Sequence, residues 1–213
     1  MAGLVIFDFD GVIVDSCPFY FRNYRLMTEH FGRTFPCGTL QEFREWYDSA
    51  WENNFLNLGF PEEDIPALLE YQASLTDYNT IPLFPDIKEV IADMAGRYTL
   101  AIASTTKSSD IRKKLSLEGL ENLFALISGG DEGTSEKKSK IGLVLTTLGR
   151  ESHEAVMIGD TVMDITSSRA LGIKNIAVLY GWNTLEKLLK AAPDHSVRSP
   201  WELVPLIGSI FPQ

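Results

Sequence analysis

The sequence is poor in cysteine and in basic residues, and it contains no long hydrophobic run. Two cysteines in 213 residues, Cys17 and Cys37, form neither a disulfide framework nor a metal-like spacing, so we expect two reduced thiols. The 19 Lys and Arg against 29 Asp and Glu give a net charge of −10, which argues against nucleic acid as a partner. No segment approaches the roughly 18 apolar residues of a membrane span, and the N-terminus lacks the basic lead of a signal peptide. We therefore predict a soluble, cytoplasmic protein with no membrane partner.

Short apolar runs alternate with helical patterns from residue 80 onward. The runs are Tyr98–Ser104, Leu123–Ser128, Ala155–Gly159 and Asn175–Tyr180, and Leu4–Asp8 at the start of the chain is of the same kind. Nearly continuous apolar strands that are joined by helices are typical of a parallel sheet covered on both faces. The sequence therefore predicts an α/β fold with a doubly wound parallel sheet.

Residues 17–79 interrupt this alternation and contain no convincing strand. Three helical patterns lie there, roughly Phe19–Phe31, Leu40–Leu56 and Glu62–Asp77. Thr39 and Glu42 have the spacing of a capping box at the start of the second. We predict an α/β core domain, 1–16 and 80–213, with an inserted all-helical cap domain, 17–79. The many aromatic residues of the insertion are interpreted mainly as its own core, with a substrate-binding role as the alternative.

Carboxylates and one hydroxyl follow the ends of separate predicted strands. Asp8 and Asp10 come after the first strand, Ser104 ends another, and Asp160 directly follows a third. In an open parallel sheet, ligands bind outside the carboxyl ends of the strands. Crowded carboxylates repel one another unless a cation neutralises them, and an all-oxygen cluster of Asp8, Asp160 and Asp164 suits Mg²⁺. Ser104 is placed to donate its hydroxyl to a phosphate oxygen.

These residues lie in motifs that resemble those of the haloacid dehalogenase superfamily. "DFDGVIVDS" (8–16) resembles its first motif, "IAST" (102–105) its second and "IGDTVMD" (158–164) its fourth. The insertion matches the superfamily's cap domain in position and helical character. The C-terminal tail resembles the phosphoglycolate phosphatase and β-phosphoglucomutase-like branch. The resemblance implies a Rossmann-like core and phosphoryl-transfer chemistry.

The resemblance also implies a role for each motif residue. Asp8 would be the nucleophile that forms an aspartyl-phosphate, and Asp10 would be the acid and base. Mg²⁺ would be held by Asp8, the backbone carbonyl of Asp10 and Asp160, with Asp164 in support. The groups that would hold the phosphate are the Ser104 hydroxyl and the backbone amides near Gly11 and Thr105.

The lysine of the third motif has three candidates, because "EKKSK" offers Lys137, Lys138 and Lys140. The apolar face of the following helix, continued one turn backward, reaches Lys137 first and Lys138 second, while Lys140 points sideways. We therefore predict Lys137 as the lysine that balances the aspartates and the phosphate, with Lys138 as the alternative.

The function predicted from the residues and the resemblance is a Mg²⁺-dependent phosphatase that acts on a small phosphorylated metabolite, with the cap closing over the core. The first alternative is a phosphosugar mutase of β-phosphoglucomutase type, which returns the phosphoryl group to a sugar hydroxyl. A dehalogenase is disfavoured because that branch lacks the aspartate at position 10, and a phosphonate hydrolase because 17–79 has no lysine to form an imine. A non-catalytic binding module on the same fold is the alternative from another class. The oligomeric state stays open between monomer and homodimer.

Overall fold

The centre of the protein is a six-stranded parallel sheet. The computed structural model describes residues 3–131 and 136–212. The strands are β1 (Leu4–Phe7), β2 (Thr99–Ala103), β3 (Leu126–Ser128), β4 (Ala155–Gly159), β5 (Lys174–Val178) and β6 (His195–Val197). They pair in parallel in the order β3-β2-β1-β4-β5-β6. The predicted α/β class with a doubly wound sheet is confirmed, and the strand order reverses direction at β1.

Helices cover both faces of this sheet and form the insertion between β1 and β2. They are α1 (Cys17–His30), α2 (Leu40–Trp46), α3 (Glu52–Asn57), α4 (Ile65–Leu75), α5 (Ile87–Ala95), α6 (Ser108–Glu118), α7 (Lys137–Leu148), α8 (Val162–Ala170), α9 (Leu185–Lys190) and α10 (Leu203–Ile210). Within the described parts of the chain, no helix combines the length and the apolar character that crossing a bilayer requires.

The two faces of β1 pack into different hydrophobic clusters, since successive side chains of a strand point to opposite faces. Val5 and Phe7 join the cluster that includes the apolar sides of α5, α6 and α10. Leu4 and Ile6 join a second cluster with the apolar side of α7. All four side chains are fully buried. This double burial is why the strand reads as a continuous apolar run in the sequence.

The helical pattern predicted over Leu40–Leu56 is wrong as a single helix. The chain leaves the helical conformation after α2 and resumes it in α3. Between them, the carboxylate of Asp48 accepts a hydrogen bond from the amide of Ala50 at 2.9 Å, and the amide of Asp48 donates to the side chain of Asn54 at 2.8 Å. Such local bonds compete with the helical ones, so the chain turns here. The capping box at the start of α2 is confirmed.

The chain enters and leaves the helical insertion through two adjacent linkers. Val14 forms an antiparallel bridge with Leu83, and the amide of Asp15 donates to the carbonyl of Pro82 at 2.9 Å. The helices between the linkers have their own aromatic-rich cluster. The cap boundaries at residues 17 and 79 stay a prediction.

The core segment from the end of β5 into α9 holds the insertion against the sheet, with Trp182 and Asn183 in the loop and Lys187 in α9. The indole ring of Trp182 packs against Tyr47 with ring centroids 4.7 Å apart. The hydroxyl of Ser49 donates to the side chain of Asn183 at 3.2 Å. The ammonium group of Lys187 donates to the carbonyl of Tyr47 at 2.7 Å and to a second carbonyl at the end of α2. These contacts hold the insertion over the carboxyl ends of the strands.

Candidate active site

The chain turns sharply where β1 ends. Asp8 follows the strand, and its amide still donates to the carbonyl of Ile158 in β4 at 2.9 Å. Gly11 has φ +75°, a conformation that glycine adopts without strain. A Cβ atom at Gly11, or at Gly181 in the loop after β5, would overlap the side chain of Asp160. Both glycines therefore allow the backbone to approach this aspartate closely.

Three of the predicted site aspartates meet at the edge of the sheet. One carboxylate oxygen from each of Asp8, Asp160 and Asp164 lies within 4.8 Å of the others, and all three side chains are buried. The ammonium nitrogen of Lys137 is 2.7 Å from Oδ2 of Asp8 and 3.0 Å from Oδ1 of Asp164. The structure thus brings these four residues together, although they lie in separate places along the chain: after β1, after β4, and in the first turns of α7 and α8.

The charges in this cluster do not balance. Burial raises the pKa of Asp8 to about 7 although Lys137 opposes the shift. Burial also raises the pKa of Asp160 well above its usual value, and the negative charges of Asp164 and Asp8 add to the effect. Burial lowers the pKa of Lys137, but the attraction of the two neighbouring carboxylates outweighs it and holds that pKa above its usual value. A site with this excess of negative charge favours a bound cation.

Lys137 is the motif lysine that reaches the cluster. It begins α7, and its ammonium group also donates to the carbonyl of Ala103, at the end of β2, at 3.0 Å. The alternative, Lys138, is exposed, because the next residue of a helix points about 100° away. The assignment of Lys137 as the site lysine stays a prediction. Lys140 is buried, and its ammonium group donates to the carbonyl of Gly129 after β3.

Asp10 lies beside this cluster in a network of hydroxyl groups. The phenol of Tyr78 donates to Oδ2 of Asp10 at 3.1 Å, and the hydroxyl of Thr106 donates to the same oxygen. The phenol oxygen of Tyr20 is 3.0 Å from that of Tyr78. Burial raises the pKa of Asp10, while the hydrogen bonds from Ser16, Thr106 and Tyr78 oppose the shift. Asp10 is therefore suited to carry a proton.

The second motif forms the turn after β2. Ser104 is buried, its amide donates to the carbonyl of Ser128 at 3.0 Å, and its hydroxyl oxygen accepts from the amide of Thr106 at 3.2 Å. Thr105 is exposed and lines the cavity above the carboxylates. The phosphate-binding roles of Ser104, Thr105 and Gly11 stay predictions.

A cavity of about 570 Å³ opens between the sheet edge and the helical insertion. Asp8, Asp10, Asp160 and Lys137 line its floor. The opposite wall comes from the insertion and carries several aromatic rings. Its volume is within the range of small-molecule binding sites, which is roughly 300–1,000 Å³.

Sequence reasoning missed three residues of this site. Tyr78 begins a 3-10 turn just before the second linker, Thr106 lies in the turn after β2, and Trp182 lies in the loop after β5. The amide of Trp182 donates to Oδ2 of Asp160 at 2.7 Å, and its indole N–H donates to Ser16 at 3.2 Å. The available signal was the "TT" after Ser104 and the "GW" after a strand end, both at the edge where ligands bind.

A buried cluster of carboxylates with a lysine, at the carboxyl ends of a parallel sheet and beneath a helical cover, is the arrangement of a capped α/β hydrolase. Comparison with known proteins agrees: a model of the haloacid dehalogenase-like hydrolase family matches residues 5–178. The chain belongs to this family, as its motifs indicated.

Relatives and solved structures support the same assignment. The chain is 26% identical over 224 residues to a phosphoglycolate phosphatase of Synechococcus elongatus, which covers 98% of this chain and 99% of the relative. It is 31% identical over 142 residues to the pyrophosphatase PpaX of Bacillus pumilus, covering 66% and 63%. A haloacid dehalogenase-like family hydrolase from Streptococcus pneumoniae has the same fold, with a TM-score of 0.86 at 23% identity, covering 97% and 98% of the chains. The prediction of an enzyme of phosphatase type is confirmed.

Proposed function

We propose that the protein is a Mg²⁺-dependent phosphatase that hydrolyses a small phosphomonoester through an aspartyl-phosphate on Asp8. The observation that carries the proposal is the meeting of Asp8, Asp160, Asp164 and Lys137 beneath one cavity. The names of the relatives, phosphoglycolate phosphatase and pyrophosphatase, support phosphoryl transfer to water. We place the enzyme in the cytoplasm, as a monomer or homodimer that acts on a phosphorylated metabolite and binds neither nucleic acid nor membrane.

The donor atoms fit a hard divalent cation. Oδ1 of Asp160 is buried and has no hydrogen-bond partner among the described residues, while its other oxygen is held by Trp182. Asp8, the backbone carbonyl of Asp10 and Asp160 would hold Mg²⁺, with Asp164 in support, and all these donors are oxygens. When bound, the ion shields the approach of a phosphate to the carboxylates and stabilises charge on the phosphoryl oxygens.

Asp8 is held ready for attack on phosphorus. Its Oδ1 accepts a hydrogen bond from the amide of Phe9 at 2.7 Å, and Lys137 contacts Oδ2. These contacts fix the carboxylate plane, which is the kind of positioning that accelerates a displacement reaction. As the bond between Asp8 and phosphorus forms, the bond from phosphorus to the leaving oxygen breaks, and the electron pair goes to that oxygen.

Asp10 moves the proton in both half-reactions. Its protonated carboxyl group gives the proton to the leaving oxygen, so the product departs as an alcohol. The resulting carboxylate then takes a proton from water, whose oxygen attacks the phosphorus of the aspartyl-phosphate and releases Asp8 as a carboxylate. Tyr78 and Thr106, which donate to Asp10, keep it oriented toward the cavity.

The test is hydrolysis of para-nitrophenyl phosphate by the full chain, with Mg²⁺ and with EDTA. We expect EDTA to abolish activity and Asp8→Asn to lower kcat by at least about a thousandfold. The matched control is Asp93→Asn, since Asp93 is an exposed aspartate on α5 and should leave kcat unchanged.

Two outcomes would contradict the proposal. Conversion of a sugar phosphate into its isomer, without release of free phosphate, would identify a mutase. An absence of phosphate release from a broad panel of phosphomonoesters would identify a binding module. Acid quenching of the reaction and mass spectrometry of the peptide that contains Asp8 provide the direct check for a phosphoryl adduct.

A further inference from the structure

The cap wall of the cavity combines aromatic rings with a lack of positive charge. Tyr20, Tyr24, Tyr47 and Trp51 line it, and Trp182 from the core completes the aromatic surface. The ring centroids of Tyr20 and Trp182 are 5.0 Å apart. Burial raises the pKa of Tyr47 well above its usual value, so this phenol stays neutral. The wall is therefore aromatic and uncharged over most of its extent.

No basic side chain of the insertion reaches this wall. Residues 17–79, all of them described, contain no lysine and only four arginines, and no arginine lines the cavity. Arg22, Arg25 and Arg33 are exposed elsewhere on the insertion. The side chain of Arg44 lies near Cys17, outside the cavity lining. An anionic group on the leaving alcohol would find no counter-charge on the cap.

The basic residues that do line the cavity belong to the core. Lys137 forms ion pairs with Asp8 and Asp164 at the floor of the cavity. Lys107 is exposed and shares its part of the wall with Asp110 and Asp131. Among the described residues, this part of the lining has one lysine and two aspartates, so its net charge is negative.

Two polar groups of α4 complete the cap wall. Glu70 is the only charged residue that the insertion contributes to the described lining, and it is negative. Gln72 is 8% exposed, and its Nε2 makes no hydrogen bond of normal geometry with any residue that the structure describes, although it lies near the Tyr24 hydroxyl. The carboxylate of Glu70 attracts an amine and repels a carboxylate or phosphate, whereas the amide of Gln72 can bind a neutral polar group.

We infer that the natural substrate is the phosphomonoester of an uncharged or cationic alcohol that carries an aromatic ring. The ring packs against the tyrosines and tryptophans, which favour flat and cationic groups. A second carboxylate or phosphate on the leaving group is rejected, because burying an unpaired charge is costly. Phosphoglycolate and pyrophosphate, the compounds named for two relatives, both carry such a second anionic group. The inference rests on the proposed phosphatase function.

The test compares kcat/KM for benzyl phosphate, 4-(aminomethyl)benzyl phosphate, 4-carboxybenzyl phosphate and 2-phosphoglycolate. We expect the first two to exceed the last two by at least about tenfold. A preference for phosphoglycolate or the carboxylated ester, with good phosphatase activity, would overturn the inference and leave the proposed function intact. A lack of activity on para-nitrophenyl phosphate and on all four esters would refute the proposed function itself.

A charge-reversal variant gives a gain of function that misfolding cannot imitate. Glu70→Lys places an ammonium group on the cap wall, and we expect the ratio of kcat/KM for 4-carboxybenzyl over benzyl phosphate to rise about tenfold. The matched control is Glu63→Lys, since Glu63 is exposed and does not line the cavity. An equal ratio in both variants would show that Glu70 does not face the leaving group and would overturn the inference.

Discussion

Replacement of Lys137 by methionine tests the electrostatics of the site without any assay of activity. Methionine keeps most of the apolar stem but removes the ammonium group that lies between Asp8 and Asp164. Because the residue is only 3% exposed, water cannot take its place freely. The variant therefore leaves buried carboxylates without their cation.

The cost follows from the general behaviour of buried ion pairs. Removal of one partner of such a pair destabilises a protein by about 3–5 kcal/mol. In a chain of this size, each kcal/mol lowers Tm by about 2–4 °C, so we expect a decrease of about 6–20 °C in the absence of divalent cations. Under the proposed function, Mg²⁺ binds the folded state, so its addition should recover part of the loss.

The loss should also depend on pH. The pKa of Asp8 is already raised to about 7 in the folded protein from 3.8, and it rises further when the opposing charge of Lys137 is removed. Between these pKa values the folded chain binds more protons than the unfolded chain, so stability falls as the pH rises. The difference in Tm between Lys137→Met and the parent protein should be smaller near pH 5 than near pH 8.

Thermal unfolding followed by circular dichroism in EDTA, at both pH values, measures this directly. The matched control is Lys138→Met, which changes the neighbouring, exposed lysine and should stay within about 0.5 kcal/mol of the parent protein. The reasoning is refuted if Lys137→Met matches Lys138→Met, or if its loss of Tm is the same at both pH values.

Three further predictions concern other parts of the structure. Gly181→Ala should lower the free energy of unfolding, measured in urea, by about 1–3 kcal/mol, because the added Cβ has no space. Gly142→Ala in α7, whose Cβ meets open space, should raise it by about 0.5–1 kcal/mol. Equal changes in the two variants would contradict this reasoning. The thiol of Cys17 is free and buried, and burial raises its pKa to about 12. It should therefore react with iodoacetamide near pH 8.5 only as fast as the protein unfolds. Rapid labelling of Cys17, detected by mass spectrometry, would contradict this. Lys187→Met should speed hydrogen exchange at the end of α2, whereas Lys190→Met, which changes an exposed lysine of the same helix, should not.

The core strands were predictable because burial on both faces leaves a run of apolar residues. Ala155–Gly159 matches its predicted range for this reason. The run Leu123–Ser128 gives only a three-residue strand, because the chain up to Leu123 forms a 3-10 turn. The strand His195–Val197 has no such signal: it is three residues long, its middle residue is exposed, and it pairs only at the sheet edge.

The site was predictable only where strand ends fix it. Asp8 and Asp160 follow central strands, and Lys137 continues an apolar helix face, so local sequence determines their positions. Tyr78 and Trp182 belong to a 3-10 turn and a loop, whose positions depend on how the insertion packs on the core. Periodicity carries no information on such packing.

The pairing of the two linkers has a consequence for how selectivity can change. Because Val14 and Leu83 lie side by side, the residues between them form one insertion that leaves and rejoins the core at the same place. Transplanting a foreign cover at these two positions leaves Asp8, Asp10, Lys137 and the strand order in place, but it removes Tyr78, which donates to Asp10. A chimera made at this junction therefore keeps the core chemistry and takes the substrate selectivity of the new cover only if that cover supplies a hydroxyl donor where Tyr78 stands.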